Sequence, residues 1–129
     1  MGMAISGFFG IGSLHGHPHS RNTLPKRLSD HPISIGTWNC PDAILTSGQL
    51  MEGGTPSLEA VVKGVAVEEA NENNTSVGIG ASPDRSGRVT LDACVMNSNG
   101  DCGAVMAAEN IVHVARLAQY VMEDTPHVN

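Results

Sequence analysis

Three groups of residues in this chain have types and spacings that chemistry uses. His15, His17 and His19 alternate along one segment. On extended backbone, alternate side chains point the same way, so three imidazoles could share a metal ion. Gly16 and Pro18 separate them and no carboxylate or thiol lies near, which makes adventitious metal binding the plainer reading. Asp101-Cys102 and Glu109 offer no better ligand spacing. Gly78-Ile79-Gly80 has the opening of a dinucleotide fingerprint, but the sixth position is Pro83 and a strand pattern follows where the motif needs a helix. The pair therefore reads as a turn or a close backbone approach. For covalent catalysis there is no Gly-x-Ser-x-Gly elbow. Cys94 sits inside a strand pattern with no His or Asp partner in sequence and reads as a packed thiol, and Asp84 and Asp92 are not spaced as an acid/base pair.

Composition narrows the classes further. A net charge of -6 with neutral histidines leaves no Lys/Arg cluster able to neutralise a row of phosphates, which argues against nucleic acid. Arg21, Lys26 and Arg27 are the nearest thing to a basic patch and read as solvated loop charge. Cys40, Cys94 and Cys102 form neither a disulfide framework nor a zinc ribbon. Cys94 and Cys102 flank a predicted hairpin turn and could face one another, although buried free thiols are the simpler reading. No stretch reaches the roughly 18 apolar residues of a membrane span. Residues 3–14 are apolar like the core of a signal peptide, yet they are glycine-broken and lack a basic start. Aromatics are scarce: apart from Phe8 and Phe9, only Trp38 and Tyr120 are left for a core of small aliphatics.

The elements that must carry these residues follow from the hydrophobic pattern. Residues 1–32, rich in Gly, His, Pro and Ser, read as a leader or disordered arm, and residues 33–129 as the globular part. Residues 33–38 form a short apolar strand. Asp42 caps a helix over 43–51 that Gly53-Gly54 stops. Thr55 caps a second helix with Pro56 at its first position and Leu58, Val61, Val62, Val65 and Ala66 in one buried stripe. Glu68, Glu69, Asn71 and Glu72 lead out of it. A strand over 89–96 alternates Val89, Leu91, Ala93 and Val95 against Thr90, Asp92, Cys94 and Met96. Residues 97–101 turn the hairpin and 102–106 return it. Ile111, Val114, Ala115, Ala118, Val121 and Met122 give a third helix that Thr125-Pro126 stops. The order β-α-α-β-β-α implies an α/β (α+β) sheet with helices on at least one face. Val128 begins a further strand just before Asn129, so the fold reads as unfinished.

Read together, Thr37-Trp38-Asn39, Met51-Glu52-Gly53-Gly54, Leu58-Glu59-Ala60-Val61, Lys63-Gly64, the block 76–96, Cys102-Gly103-Ala104-Val105 and the run 121–128 resemble the α-subunit of glycosylasparaginases. These belong to the asparaginase-2 branch of the N-terminal-nucleophile (Ntn) hydrolases. The resemblance covers about residues 33–128. It implies the N-terminal half of an αββα Ntn-hydrolase sandwich, cut from a self-cleaving precursor. It also implies an amidase that hydrolyses the bond between N-acetylglucosamine and asparagine in glycoprotein breakdown, without metal or organic cofactor. The nucleophile is a threonine at the β-subunit's new N-terminus, whose own amine is the base. It would lie beyond Asn129, so no catalytic residue is expected in this chain, which alone would be inactive, and its partner would be the β-subunit.

On the same resemblance, Trp38 lines the substrate pocket, with a core anchor as its alternative. Ser76 supports self-cleavage, with a local backbone bond as its alternative. Gly78 and Gly80 leave room for a neighbouring chain and a substrate, and Cys94 is buried packing. The chain departs from the family at Ala81, where a second glycine is usual, in the helix over 43–51, and over 110–119. An isoaspartyl peptidase or L-asparaginase of the same superfamily is the nearest other reading, and a truncated non-catalytic fragment the next. The compartment implied is the lysosome in a eukaryote or the periplasm in a bacterium.

Overall fold

The structure, a computed structural model, describes residues 30–125. His15, His17 and His19, the basic residues Arg21, Lys26 and Arg27, most of the arm over 1–32, and the stretch 126–129 lie outside the described residues. The described elements are helix α1 (Pro41–Glu52), helix α2 (Ser57–Glu69), a single 3-10 turn (Gly78–Gly80), strands β1 (Leu91–Met96) and β2 (Cys102–Ala108), and helix α3 (Val114–Asp124).

Helix α1 starts on proline and α2 directly after one, rather than on polar caps. Pro41 occupies the first position of α1 and Asp42 its first turn, and neither α1 nor α2 has a side-chain cap. The expected caps at Asp42 and Thr55 are thus corrected: Asp42 lies inside the first turn of α1, where Pro41 pre-sets the helical φ, and Pro56 is itself the N-cap of α2 and not its first residue. Gly53 closes α1, with Gly54 at φ 90°, as the glycine pair predicts. The buried side of α2 is Ala60, Val62, Gly64 and Glu69, and Val61 faces outward. Ala43 and Ser47 of α1 lie against Gly64, and the Ser47 hydroxyl donates back to the Ala43 carbonyl at 2.7 Å.

Strands β1 and β2 pair antiparallel, with Met96 opposite Cys102 and Leu91 opposite Ala108. The register skips between Leu91 and Ala93, so β2 carries one extra residue there. Ala107 takes a left-handed φ of 53°, and its N–H donates to the Asp92 carboxylate at 2.7 Å. Asp92 thereby holds a β-bulge that re-aims the end of β2. We expect Asp92→Ala to lower stability by about 1 kcal/mol, the net worth of one such bond, read as a shift of the urea midpoint at constant m-value.

The inward face of the hairpin packs on α3. Leu91, Ala81 and Val114 form its buried centre, with Val89, Ala93, Val105, Ala108 and Ile111 against them. Gly103 permits the approach, since a Cβ there would lie 2.2 Å from the Ala118 carbonyl oxygen of α3. Among the described residues no aromatic enters this core: Trp38 and Tyr120 are both exposed, and the Arg116 guanidinium lies 4.9 Å from the centre of the Tyr120 ring. That placement suits a cation–π contact and not a core anchor.

Two further expectations are corrected. Residues 33–38 form no strand among the described residues, and Ile33 and Ile35 are exposed. A strand exists only where a neighbour completes its hydrogen bonds, and the described sheet has two strands paired only with each other. Cys94 is exposed rather than buried. Alternation puts it with Met96 and Met106 on the hairpin face away from α3, a face that nothing in the described residues covers. Cys94 stands opposite Ala104 and not Cys102, and all three cysteines are free.

Candidate active-site groove

The groove has two walls from distant parts of the chain. One is the entry to α1: the chain bends at 37–39, and the Trp38 carbonyl accepts the Cys40 N–H at 2.9 Å. Trp38 is left 75 % exposed with its indole free of the core. The other wall is the asparagine-rich turn that leaves α2. There Asn71 accepts the Asn73 N–H and Asn74 accepts the Ser76 N–H, each at 3.0 Å, while the Asn74 amide donates to Glu68 at 3.0 Å. Such side-chain-to-backbone bonds fix a turn without regular structure. Between the walls lies a space of about 690 Å³, within the range of about 300–1,000 Å³ for small-molecule sites. Trp38 and Ser76, the two side chains that the family resemblance singles out, both line it. The Ser76 hydroxyl makes no hydrogen bond among the described residues, so it is not holding the local backbone.

Gly78 and Gly80 sit just behind this wall in the 3-10 turn. Gly78 has φ 64°, and a Cβ on it would fall 1.9 Å from the Glu69 carbonyl oxygen. On Gly80 a Cβ would meet the Glu72 and Asn74 carbonyl oxygens at 2.5 and 2.6 Å. The space these glycines leave is filled by the chain's own backbone, the close backbone approach within a turn that a glycine pair permits.

Sequence reasoning missed Glu69. Its side chain is 2 % exposed. It accepts the Ala115 N–H at the start of α3 at 2.9 Å and lies 3.3 Å from His113 Nδ1. A carboxylate at a helix N-terminus satisfies an orphan donor and complements the helix dipole. The signal was present in the sequence: position 69 continues the apolar stripe of Val62, Val65 and Ala66, and a charge there needs a partner. Nearby, Arg116 donates to Glu59 at 2.7 Å and to Gln119 at 2.9 Å, tying α2 to α3 a second time.

The Arg116 bond, with help from Gln119 and Lys63, holds the Glu59 carboxyl below its ordinary range. The Ser86 hydroxyl, then the Arg88 backbone N–H, do the same for Asp84. A carboxyl whose pKa is lower folded than unfolded adds stability above its unfolded value, and that stability is lost as pH falls through the folded value. We therefore expect stability to decline below about pH 4, and Glu59→Gln to make the acid limb of a melting-temperature profile shallower. Both groups sit near solvent, so the increment is small.

A second hollow of about 450 Å³ lies on the other side of the 3-10 turn, where Arg88 and Glu109 pair at 3.4 Å. Among the described residues no three His, Cys, Asp or Glu side chains are grouped to hold a metal, and no helix is long and apolar enough to cross a membrane.

Comparison with known proteins places the sequence in a family. The Asparaginase_2 model, described as asparaginase, matches residues 15–129. A bacterial N(4)-(beta-N-acetylglucosaminyl)-L-asparaginase from Elizabethkingia miricola is 41 % identical over 108 residues, covering 83 % of this chain and 32 % of the relative. The mouse enzyme of the same name is 35 % identical over 105 residues, covering 81 % and 30 %. A probable isoaspartyl peptidase/L-asparaginase from Arabidopsis thaliana is 32 % identical over 97 residues, covering 74 % and 27 %. The chain thus spans about a third of the length of the relatives it matches.

Proposed function

The chain belongs to the asparaginase-2 family, and from that premise we propose that it is the N-terminal, α-subunit part of an amidohydrolase that cleaves N4-(β-N-acetylglucosaminyl)-L-asparagine. The observation that carries this reading is that Trp38 and Ser76, from opposite ends of the helical pair, line one groove. The nucleophile is a threonine in the two thirds of the relatives' length that this chain does not match. Its hydroxyl oxygen attacks the side-chain amide carbon while its own amine takes the proton. The amide C–N bond breaks, the glycosylamine leaves with a proton, and water then hydrolyses the aspartyl ester to release aspartate and regenerate the threonine. Trp38 orients the substrate, and Ser76 supports the backbone that cuts itself to expose the threonine.

In this reading the uncovered face of the hairpin, with Cys94, Met96 and Met106, packs against the rest of the same precursor. The lysosome, or the periplasm in a bacterium, is the compartment that fits glycoprotein breakdown. Free asparagine or an isoaspartyl peptide is the second substrate reading, favoured by the similarity to the Arabidopsis protein.

The test is to express the full-length protein that contains this chain and follow both self-cleavage and aspartate release. We expect cleavage before a threonine, and faster turnover of glycosylated asparagine than of free asparagine. Cleavage with turnover of asparagine alone would select the second reading. Neither cleavage nor amide turnover would overturn the enzyme reading.

A further inference from the structure

Ser76 is exposed in the groove, and its hydroxyl has no partner among the described residues. Its backbone is held more firmly than an exposed turn requires. The Ser76 N–H donates to the Asn74 carboxamide oxygen at 3.0 Å. At the other edge of the same peptide, the Thr75 carbonyl accepts two hydrogen bonds from Ser82, from its N–H at 3.0 Å and from its hydroxyl at 3.2 Å. Ser82 reaches back from beyond the 3-10 turn, so the Thr75–Ser76 peptide plane is pinned on both edges by different parts of the chain.

Glu68 decides which way Asn74 points. A carboxylate oxygen only accepts, so the Asn74 amide nitrogen must face Glu68 Oε2, at 3.0 Å, and the amide oxygen is left for the Ser76 N–H. Glu68 and Asn74 are both half-buried, so water competes less for this bond than for one on the open turn. The Asn74 backbone is backed in turn by Gly80, where a Cβ would stand 2.6 Å from the Asn74 carbonyl oxygen. A continuous line of contacts thus runs from the last turn of α2 to the serine in the groove. A peptide plane free to rotate would swing the Ser76 hydroxyl by about 1 Å, and a displacement of that size at a reacting centre costs up to about 100-fold in rate.

We propose that Glu68, Asn74 and Ser82 are positioning residues for self-cleavage: Glu68 orients Asn74, and Asn74 and Ser82 fix the peptide that aims the Ser76 hydroxyl into the groove. This rests on the reading of the protein as a self-cleaving amidohydrolase, and it adds to that reading three side chains that act only through Ser76.

The experiment uses the full-length precursor and follows the rate of self-cleavage alongside the melting temperature. We expect Asn74→Ala to slow cleavage about tenfold, and Ser82→Ala, which leaves the Ser82 N–H in place, about threefold. Melting temperatures should stay near the wild type. In a Ser76→Ala background, Asn74→Ala should add less than about twofold, because its effect passes through a hydroxyl that is already gone. Asn74→Asp sets two carboxylates against each other and should be slow. Glu68→Gln/Asn74→Asp should recover most of the wild-type rate, since the amide now at position 68 donates to the carboxylate at 74, whose second oxygen still accepts the Ser76 N–H. Cleavage of Asn74→Ala at the wild-type rate would overturn the proposal and leave the self-cleaving reading standing. Equal slowing with and without the Ser76 hydroxyl would overturn it as well, because it marks a purely structural role. A swapped pair no faster than Asn74→Asp alone would overturn the part given to Glu68. A full-length wild type that never cleaves itself would sink both the proposal and the reading it rests on.

Discussion

Gly78→Val is expected to abolish cooperative folding of this part of the protein. Gly78 is buried with φ 64°, and a Cβ would stand 1.9 Å from the Glu69 carbonyl oxygen and 2.3 Å from the Glu69 carbonyl carbon and Cα. These are backbone atoms in the last turn of α2, so no rotamer change relieves the overlap. A β-branched residue in the left-handed region adds strain of about 1–3 kcal/mol, and overpacking adds about 1–3 kcal/mol more. Together these approach the whole stability of a small domain. Gly87→Val is the control: Gly87 also has a positive φ, 82°, but its Cβ position is open. Melting temperatures of the two variants separate strain from overlap. A Gly78 variant that melts like the Gly87 variant would show that the close approach to Glu69 is not required.

Glu69→Ala has the next largest expected effect. The substitution leaves the Ala115 N–H buried without an acceptor, removes the charge from the start of α3, and deprives His113 of its partner. A lost bond to a charged group with an orphaned donor costs about 3 kcal/mol. Glu69→Gln keeps an acceptor for the N–H and should cost about half as much. A double-mutant cycle with His113→Ala isolates the side-chain pair, whose coupling should be smaller than the effect of Glu69→Ala because His113 is partly exposed. Equal stability of Glu69→Ala and wild type would mean that α2 and α3 dock without this carboxylate.

The helical periods of α2 and α3, the Gly53-Gly54 stop and the alternation of β1 were all legible in the sequence, because each depends on local geometry. What was not legible depends on what lies opposite. Residues 33–38 have a strand's composition but no described neighbour to pair with. Cys94 has a core residue's chemistry but stands on the hairpin face away from α3. The bulge at Ala107 is set by Asp92, fifteen residues away, and no pattern of period two reveals it. Glu69 has the pattern of a helix exit, and only the tertiary fold brings the start of α3 onto it. The groove itself could not be read from spacing: Trp38 and Ser76 line one space only after α1 and α2 fold back on each other. The family resemblance names each of the two residues separately, and no spacing places them together.

In the proposed function this groove is the substrate site. Trp38→Ala in the full-length enzyme tests it directly, because the indole is 75 % exposed and its removal should leave the melting temperature unchanged. The measurement is kcat/KM for N4-(β-N-acetylglucosaminyl)-L-asparagine. A fall of at least about tenfold, equivalent to about 1.4 kcal/mol of transition-state binding, is expected. Wild-type kcat/KM in a correctly self-cleaved Trp38→Ala enzyme would contradict it.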